Sequence, residues 1–245
     1  MINNSINLVL QGKGGVGKSF ISSMLSQYFL DNKKVNFFGA DTDPVNHSFS
    51  NISRLNARNI EILKDGAILQ SKFDGMFESI INEEQITFVV DNGASTFIPM
   101  IKYIKDNDII SMFDEMNRPF YIHTIIVGGQ SQADTIQGLT TLFELIEKSN
   151  NIKLIIWLNE FQGEVKLDTN LMKLVKNKTA GVVVVKNWNS DAFTSDLEKM
   201  TTNRLTLEEA LQSSDFNLMA KNRLKRIFND VYVQLDSIFD TDTAE

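Results

Sequence analysis

The stretch Gly12-Lys13-Gly14-Gly15-Val16-Gly17-Lys18-Ser19 lies directly behind the apolar run Ile6 to Leu10 and ahead of a helix-like segment. The spacing G-x-x-x-x-G-K-[ST] builds a loop whose backbone N–H groups close around phosphate oxygens. Glycine is needed because side chains would block that approach and because the turn uses backbone angles that other residues adopt at a cost. Lys18 is placed to bridge the outer phosphates and Ser19 to offer its hydroxyl to Mg²⁺. The helix starting there points its positive end at the anion. The alternative is a plain glycine-rich turn between strand and helix. A second lysine inside the loop, Lys13, sharpens the pattern.

Further along, short apolar runs alternate with longer amphipathic segments. The runs are Ile6 to Leu10, Val35 to Gly39, Ile86 to Val90, Tyr121 to Val127, Leu154 to Leu158 and Val182 to Val185. Several are apolar at nearly every position, as strands covered on both faces should be. Helices are expected over Lys18 to Asn32, Gln132 to Ser149, Ser190 to Met200 and Asn217 to Phe239. This rhythm predicts an α/β fold with a mainly parallel central sheet and crossover helices on both faces. With 245 residues and 42% hydrophobic content, the chain can bury a full core, and residues 1–245 read as a single nucleotide-binding domain. The stretch Thr96 to Arg118 has mixed periodicity, as one broken helix or two short ones, and reads either as a mobile lid or as ordinary packing.

Phosphate binding alone is not hydrolysis, which also needs a metal ion and a positioned water; carboxylates are therefore expected at neighbouring strand ends. Asp91 closes the run Ile86-Thr87-Phe88-Val89-Val90 and has the form of an acid that holds Mg²⁺ through its water shell; a capping aspartate is the alternative. Asn92-Gly93-Ala94-Ser95 follows as a small-residue turn. The other place is Asp41-Thr42-Asp43-Pro44. Carboxylates two apart in an extended chain point to opposite sides, so one can face the metal and the other the attacking water. Taken alone, the same tetrapeptide is common capping chemistry.

Composition excludes several classes. With no cysteine there are no disulfides, no thiol chemistry and no Cys-held zinc or iron–sulfur cluster, and the content suits a reducing cytosol. His47 and His123 stand apart without a supporting cluster and read as packing or surface residues. Twenty-four basic against thirty-one acidic residues, net −7, argue against nucleic-acid binding over the whole surface. The opening Met1 to Ser5 carries neither a basic region nor a long apolar one, and no run approaches bilayer length, so a cytoplasmic protein without an integral membrane segment is expected.

The loop Gly12 to Ser19, with lysine directly after the first glycine, resembles the deviant Walker A motif of the MinD/ParA class of P-loop NTPases. Longer strings resemble the TraL family of conjugal transfer proteins within that class: Leu10 to Ile21, Asp41 to Asn46, Val90 to Ser95, His123-Thr124, Val127 to Gln130, Trp157-Leu158-Asn159 and Arg204-Leu205-Thr206. The resemblance implies Mg²⁺ and ATP as cofactors and nucleotide binding through Gly12, Lys13, Gly14, Gly15, Val16, Gly17, Lys18, Ser19 and Phe20. It implies that Lys13 reaches across a nucleotide-sandwich homodimer to the partner's phosphates, so Lys13, Lys18 and Asp43 carry catalysis. It places Ser19, Asp41 and Asp91 around the metal, with Asp41 either there or paired to a lysine. Asn159 matches an asparagine that contacts the base, against a loop-turn role; Gly128-Gly129-Gln130 is open between a contact and a strand-ending turn. The class usually carries Thr and then Pro after the Walker B aspartate, where this chain has Asn-Gly-Ala-Ser, so slow or partner-stimulated ATPase turnover is expected.

The expected function is an ATP-driven dimerisation switch recruiting conjugation machinery proteins during plasmid DNA transfer. The alternative is a ParA-like partition protein that binds DNA nonspecifically in its ATP state. Lys221, Arg223, Lys225 and Arg226 form the one basic cluster worth testing for DNA. Leu224, Ile227, Phe228, Val231, Leu235 and Ile238 behind it have the spacing of a helix docked on the sheet. A metabolite-activating enzyme on the same fold would need a further catalytic constellation, and none is visible.

Overall fold

The computed structural model describes residues 4–116 and 118–242; Met1–Asn3 of the opening segment, Asn117, and Thr243–Glu245 at the acidic end lie outside them. In chain order the elements are β1 (Ile6–Val9), α1 (Lys18–Gln27, continued by a π turn over Tyr28–Asn32), β2 (Phe37–Asp41), β3 (Arg58–Asn59), β4 (Leu63–Lys64), β5 (Ala67–Ile68), α2 (Asp74–Asn82), β6 (Thr87–Asp91), α3 (Phe97–Asp106), α4 (Ile109–Glu115), β7 (Phe120–Val127), α5 (Gln132–Ile146), β8 (Ile152–Asn159), α6 (Thr169–Val175), β9 (Thr179–Val185), α7 (Asp191–Thr202), α8 (Leu207–Gln212) and α9 (Leu218–Asp242).

Seven strands form one sheet in the order β3-β2-β6-β1-β7-β8-β9, and every pairing in it is parallel. The six apolar runs supply its six longer strands. Successive residues face opposite sides, so β1 sends Ile6 and Leu8 into one core and Val9 into the other. Helices α1, α7, α8 and α9 cover one face, and α2 to α5 cover the other. The run expected from Val35 becomes strand only at Phe37, because the Val35 N–H still bonds the Phe29 carbonyl as the chain leaves the π turn.

Several short elements were not expected: β3, the β4–β5 hairpin, α2, α6 and α8. Arg58 and Asn59 are exposed and join the sheet only through backbone pairing with Ala40 and Asp41. Residues 96–118 contain two helices, broken at Asp108 with φ 49°. Met100, Ile101, Tyr103, Ile104, Ile109 and Phe113 from this stretch are buried, and Tyr103 stacks on Phe77 at 5.3 Å. Packing, not a lid, is its role, since each such buried apolar side chain is worth about 1.5–3 kcal/mol.

Helix α9 docks as its spacing predicts, with Leu224, Phe228, Val231 and Leu235 buried. Its Gln234 accepts from the Val184 N–H at 2.7 Å and donates to the Val184 carbonyl at 3.1 Å, blunting the exposed edge of β9.

β1 sits where the sheet order reverses, with β6 and β2 on one side and β7 to β9 on the other. The loops after β1, β2 and β6 therefore emerge side by side at the carboxyl edge, the usual place for a ligand in such sheets.

Candidate functional site

The loop after β1 takes the shape its glycines allow. Gly15 and Gly17 have φ of 73° and 97°, and Gly17 caps α1 from the left-handed region. Gly12 has no room for a side chain, because a β-carbon there would come within 2.9 Å of the Phe97 ring. Lys18 is buried and donates to the Lys13 carbonyl at 2.9 Å, folding back over its own loop. Burial lowers its pKa, while Asp91 and Asp43 pull it back up. Lys13 behaves differently. Its ammonium turns outward to Asp134 on α5 at 2.7 Å, where both partners are well exposed.

Asp41 and Asp91 are register partners at the ends of β2 and β6. Asp91 is fully buried, and its pKa is pushed up to about 7: burial is the largest cause and Asp41 adds to it, while hydrogen bonds from Ser19 and Ser22 and the Lys18 charge oppose it. The Ser22 hydroxyl donates at 2.8 Å. A buried carboxylate so incompletely compensated suits a nearby cation. Among the described residues no three acids or histidines form a closed metal cage. The open pair Ser19 and Asp91 fits Mg²⁺, which keeps several waters and takes its remaining ligands from phosphate.

Asp41 spends both carboxylate oxygens on the loop it begins. One accepts from the Asp43 N–H at 3.0 Å, the other from the Ser50 N–H and hydroxyl at 2.9 and 3.0 Å. Asp43 instead lines the cavity beside the phosphate loop, with one oxygen accepting from the N–H groups of Val45 and Asn46. Thr42 joins this loop to the next, its hydroxyl donating to Asn92 at 3.0 Å.

Asn159 turns under the phosphate loop. Its amide donates to the Val16 carbonyl at 3.0 Å and accepts from the Phe161 N–H at 3.2 Å, which uses its polar ends to brace the loop and its own turn. Gln162 adds a second brace, donating to the Gly15 carbonyl at 2.8 Å. Gly128 packs against the carbonyls of Gly163 and Glu164, where a β-carbon would collide, so Gly128-Gly129 closes β7 against the turn that carries both braces.

The cavity beside the loop measures about 520 Å³. Gly14, Gly15, Gly17, Lys18, Ser19 and Phe20 wall one part, Asp43, Asn46, Ser48 and Ile52 another, and Met200, Thr201, Thr202, Arg204 and Leu205 a third. Sequence reasoning brought Lys13, Lys18, Ser19, Asp41, Asp43, Asp91 and Asn159 to one sheet edge. It missed Gln11, whose buried amide donates to the carbonyls of Ile125 and Thr135 at 2.9 and 3.1 Å and anchors the loop's entry. It also missed Ser22 and Gln162, and it named Asn92 only within a small-residue turn and Arg204 only within a family-like string. Ser22 lay one helical turn after Lys18 and was findable; Gln162 depends on the Gly15 carbonyl, 147 residues away.

The C-terminal basic cluster is partly spent. Arg223 pairs with Asp196 at 2.6 Å, and Arg226 lies over the Trp188 ring at 4.8 Å. Lys221 and Lys225 border a shallow surface hollow with Leu218 and Met219. No helix among the described residues is long and apolar enough to cross a membrane.

Residues 8–203 match the model of the CobQ/CobB/MinD/ParA nucleotide binding domain. Two curated relatives, both "Protein TraL" from Escherichia coli, are 32% and 31% identical over 238 residues, spanning 95% of this chain and 97% of theirs. In fold, the chain is similar to a solved MinC:MinD cell division protein complex from Aquifex aeolicus, with TM-score 0.51 and 15% identity over 95% of this chain and 96% of that one. With its phosphate loop, its two strand-end aspartates and this match, the chain belongs to the CobQ/CobB/MinD/ParA family of P-loop nucleotide-binding proteins and, within it, groups with the TraL proteins.

Proposed function

We propose that the protein is a Mg–ATP-dependent dimerisation switch that hydrolyses its nucleotide slowly or on stimulation and serves conjugative plasmid DNA transfer. The observation that carries this reading is the division of labour between the two lysines. Lys18 is committed to the interior of its own loop, whereas Lys13, five residues earlier, presents its charge outward on Asp134. An exposed ion pair of this kind is worth at most about 1 kcal/mol, so Lys13 exchanges partners readily. The phosphates of a nucleotide in a second subunit are a suitable new partner.

The remaining roles follow from position. The loop N–H groups and Lys18 bind and orient the phosphates. Ser19 and Asp91 hold Mg²⁺, with Asp41 keeping the β2 loop in place behind them. Bound Mg–ATP supplies a phosphoanhydride activated for attack by water. Asp43 faces the same cavity and orients that water. Asn92, where the class usually carries threonine, ties the two strand-end loops together, and this supports slow unaided turnover. The link to DNA transfer rests on the similarity to TraL proteins.

The test is the size of the protein in Mg²⁺ with ADP, with ATP and with a nonhydrolysable ATP analogue. A dimer with ATP and its analogue, a monomer with ADP, and loss of the dimer in Lys13→Ala with nucleotide binding retained are expected. One monomer peak in all three conditions would sink the switch.

A further inference from the structure

The nucleotide cavity has a third wall, the end of α7 and the turn that follows it before α8, lined by Met200, Thr201, Thr202, Arg204 and Leu205. This turn is built with care. The Arg204 N–H bonds the Thr201 carbonyl at 3.0 Å and the Leu205 N–H bonds the Met200 carbonyl at 3.1 Å. Thr206 and Glu209 form a reciprocal capping box that starts α8. The next N–H, of Leu207, donates at 2.6 Å to Gln27 on α1, the helix that begins at the phosphate loop. The wall is thus tied to the C-terminal end of the helix whose first residues form the cradle.

Arg204 itself sits at φ 56°, a left-handed conformation that glycine or asparagine adopts with less strain. Asn203 stands next to it, so the chain places a long cation at the strained position rather than the residue that suits it. The charges explain what it is for. The charged residues of the cavity wall are Lys18, Asp43 and Arg204. Lys18 is faced by Asp91 and Asp43. The acids nearest Arg204 in sequence are engaged elsewhere, Glu208 with Arg54 and Glu209 with Thr206. Among the described residues the exposed Arg204 guanidinium has no hydrogen-bond or ion-pair partner. A protein of net charge −7 therefore keeps one uncompensated cation on the wall of the cavity that contains its phosphate loop.

We infer that Arg204 is a nucleotide-contact residue that binds the anionic phosphate chain of a nucleoside polyphosphate from the α7–α8 turn, an assignment that rests on the nucleotide-binding reading of the cavity. Guanidinium donors suit phosphate oxygens in a paired geometry, and an ammonium in the same place acts as a point charge only. Phosphate contact, unlike base contact, is indifferent to the base.

The test is titration of the full chain in Mg²⁺ with ATPγS and with GTPγS, comparing wild type, Arg204→Ala, Arg204→Lys and Lys18→Ala, each with its urea midpoint measured. Arg204→Ala is expected to weaken every nucleotide that the wild type binds by the same factor, about tenfold, with an unchanged midpoint. Arg204→Lys is expected to recover part of that loss. Arg204→Ala binding like wild type while Lys18→Ala loses binding would overturn the assignment and leave the nucleotide site standing. A loss confined to one base, or one matched by a lowered urea midpoint, would also overturn it. Wild type and Lys18→Ala behaving alike would remove the nucleotide reading, and Arg204's role with it.

Discussion

Thr42 donates its hydroxyl to Asn92 at 3.0 Å, linking the loop after β2 to the loop after β6. The same Asn92 oxygen accepts from Thr96 at 2.8 Å, so one amide holds both sides of the site in a single arrangement. Asn92→Ala removes that shared acceptor. Thr42 and Thr96 also reach the Asp91 and Gly93 carbonyls, so neither hydroxyl is stranded. The expected cost is therefore near the low end for a buried hydrogen bond, about 1–2 kcal/mol in urea unfolding. Since the two loops then move independently, basal turnover should rise per bound nucleotide. Unchanged stability and turnover would show that the bridge carries no coupling.

Lys18 combines burial with a binding task, and the two pull in opposite directions. Desolvation disfavours its charge in the free protein, where among the described residues its hydrogen-bond acceptor is the Lys13 carbonyl. Lys18→Met keeps the aliphatic volume and removes the buried charge. Unfolding stability of the nucleotide-free protein should stay level or rise, while affinity for Mg–ATP falls about 10- to 100-fold, the worth of a charge-assisted bond to phosphate. Calorimetric titration and urea unfolding of the same sample check both halves. A variant that loses stability but binds normally would contradict the assignment.

Gly128 separates packing from ligand contact. A β-carbon there collides with backbone of the 163–164 turn, which cannot swing aside as a side chain can. Gly128→Ala should cost about 1–3 kcal/mol through overpacking. Because that turn supports Asn159 and Gln162 under the phosphate loop, a smaller, few-fold weakening of nucleotide binding should accompany it. Binding lost with full stability would instead mean that Gly128 touches the ligand.

His123 is buried in the sheet and held neutral. It accepts from the Trp157 indole at 2.9 Å and meets the Asn7 side chain at 3.1 Å, and burial takes its pKa down from 6.5 to about 3. The unfolded chain therefore binds one more proton than the folded one between these values. Stability is fully present above pH 6.5 and is lost as pH falls through this window towards 3, at up to about 1.4 kcal/mol per pH unit. Between pH 7 and 5 the wild type should lose about 2 kcal/mol more than His123→Gln, read from urea midpoints at each pH. Parallel losses in the two proteins would show that His123 does not titrate on unfolding.

The local pattern of the chain determined the phosphate loop, the six longer strands, the four longer helices and the acids at two strand ends. Each of these is written in neighbouring residues: glycines at fixed spacing, apolar runs of strand length, a helical period in α9. Short elements escaped for the converse reason. β3 is held by backbone pairing alone; α8 is short and is anchored by Gln27, 180 residues away, although its capping box is a local signal. For Asp41 and Asp43 at the end of β2, the residues alone left open which faces the metal and which the water. Only the folded sheet set Asp91 in the interior beside Ser19 and Ser22, turned Asp41 onto Ser50, and left Asp43 facing the cavity. Asn159 and Gln162 became braces of the loop, and Arg204 reached the cavity wall, because packing brings together groups more than a hundred residues apart, and no local period encodes such a meeting.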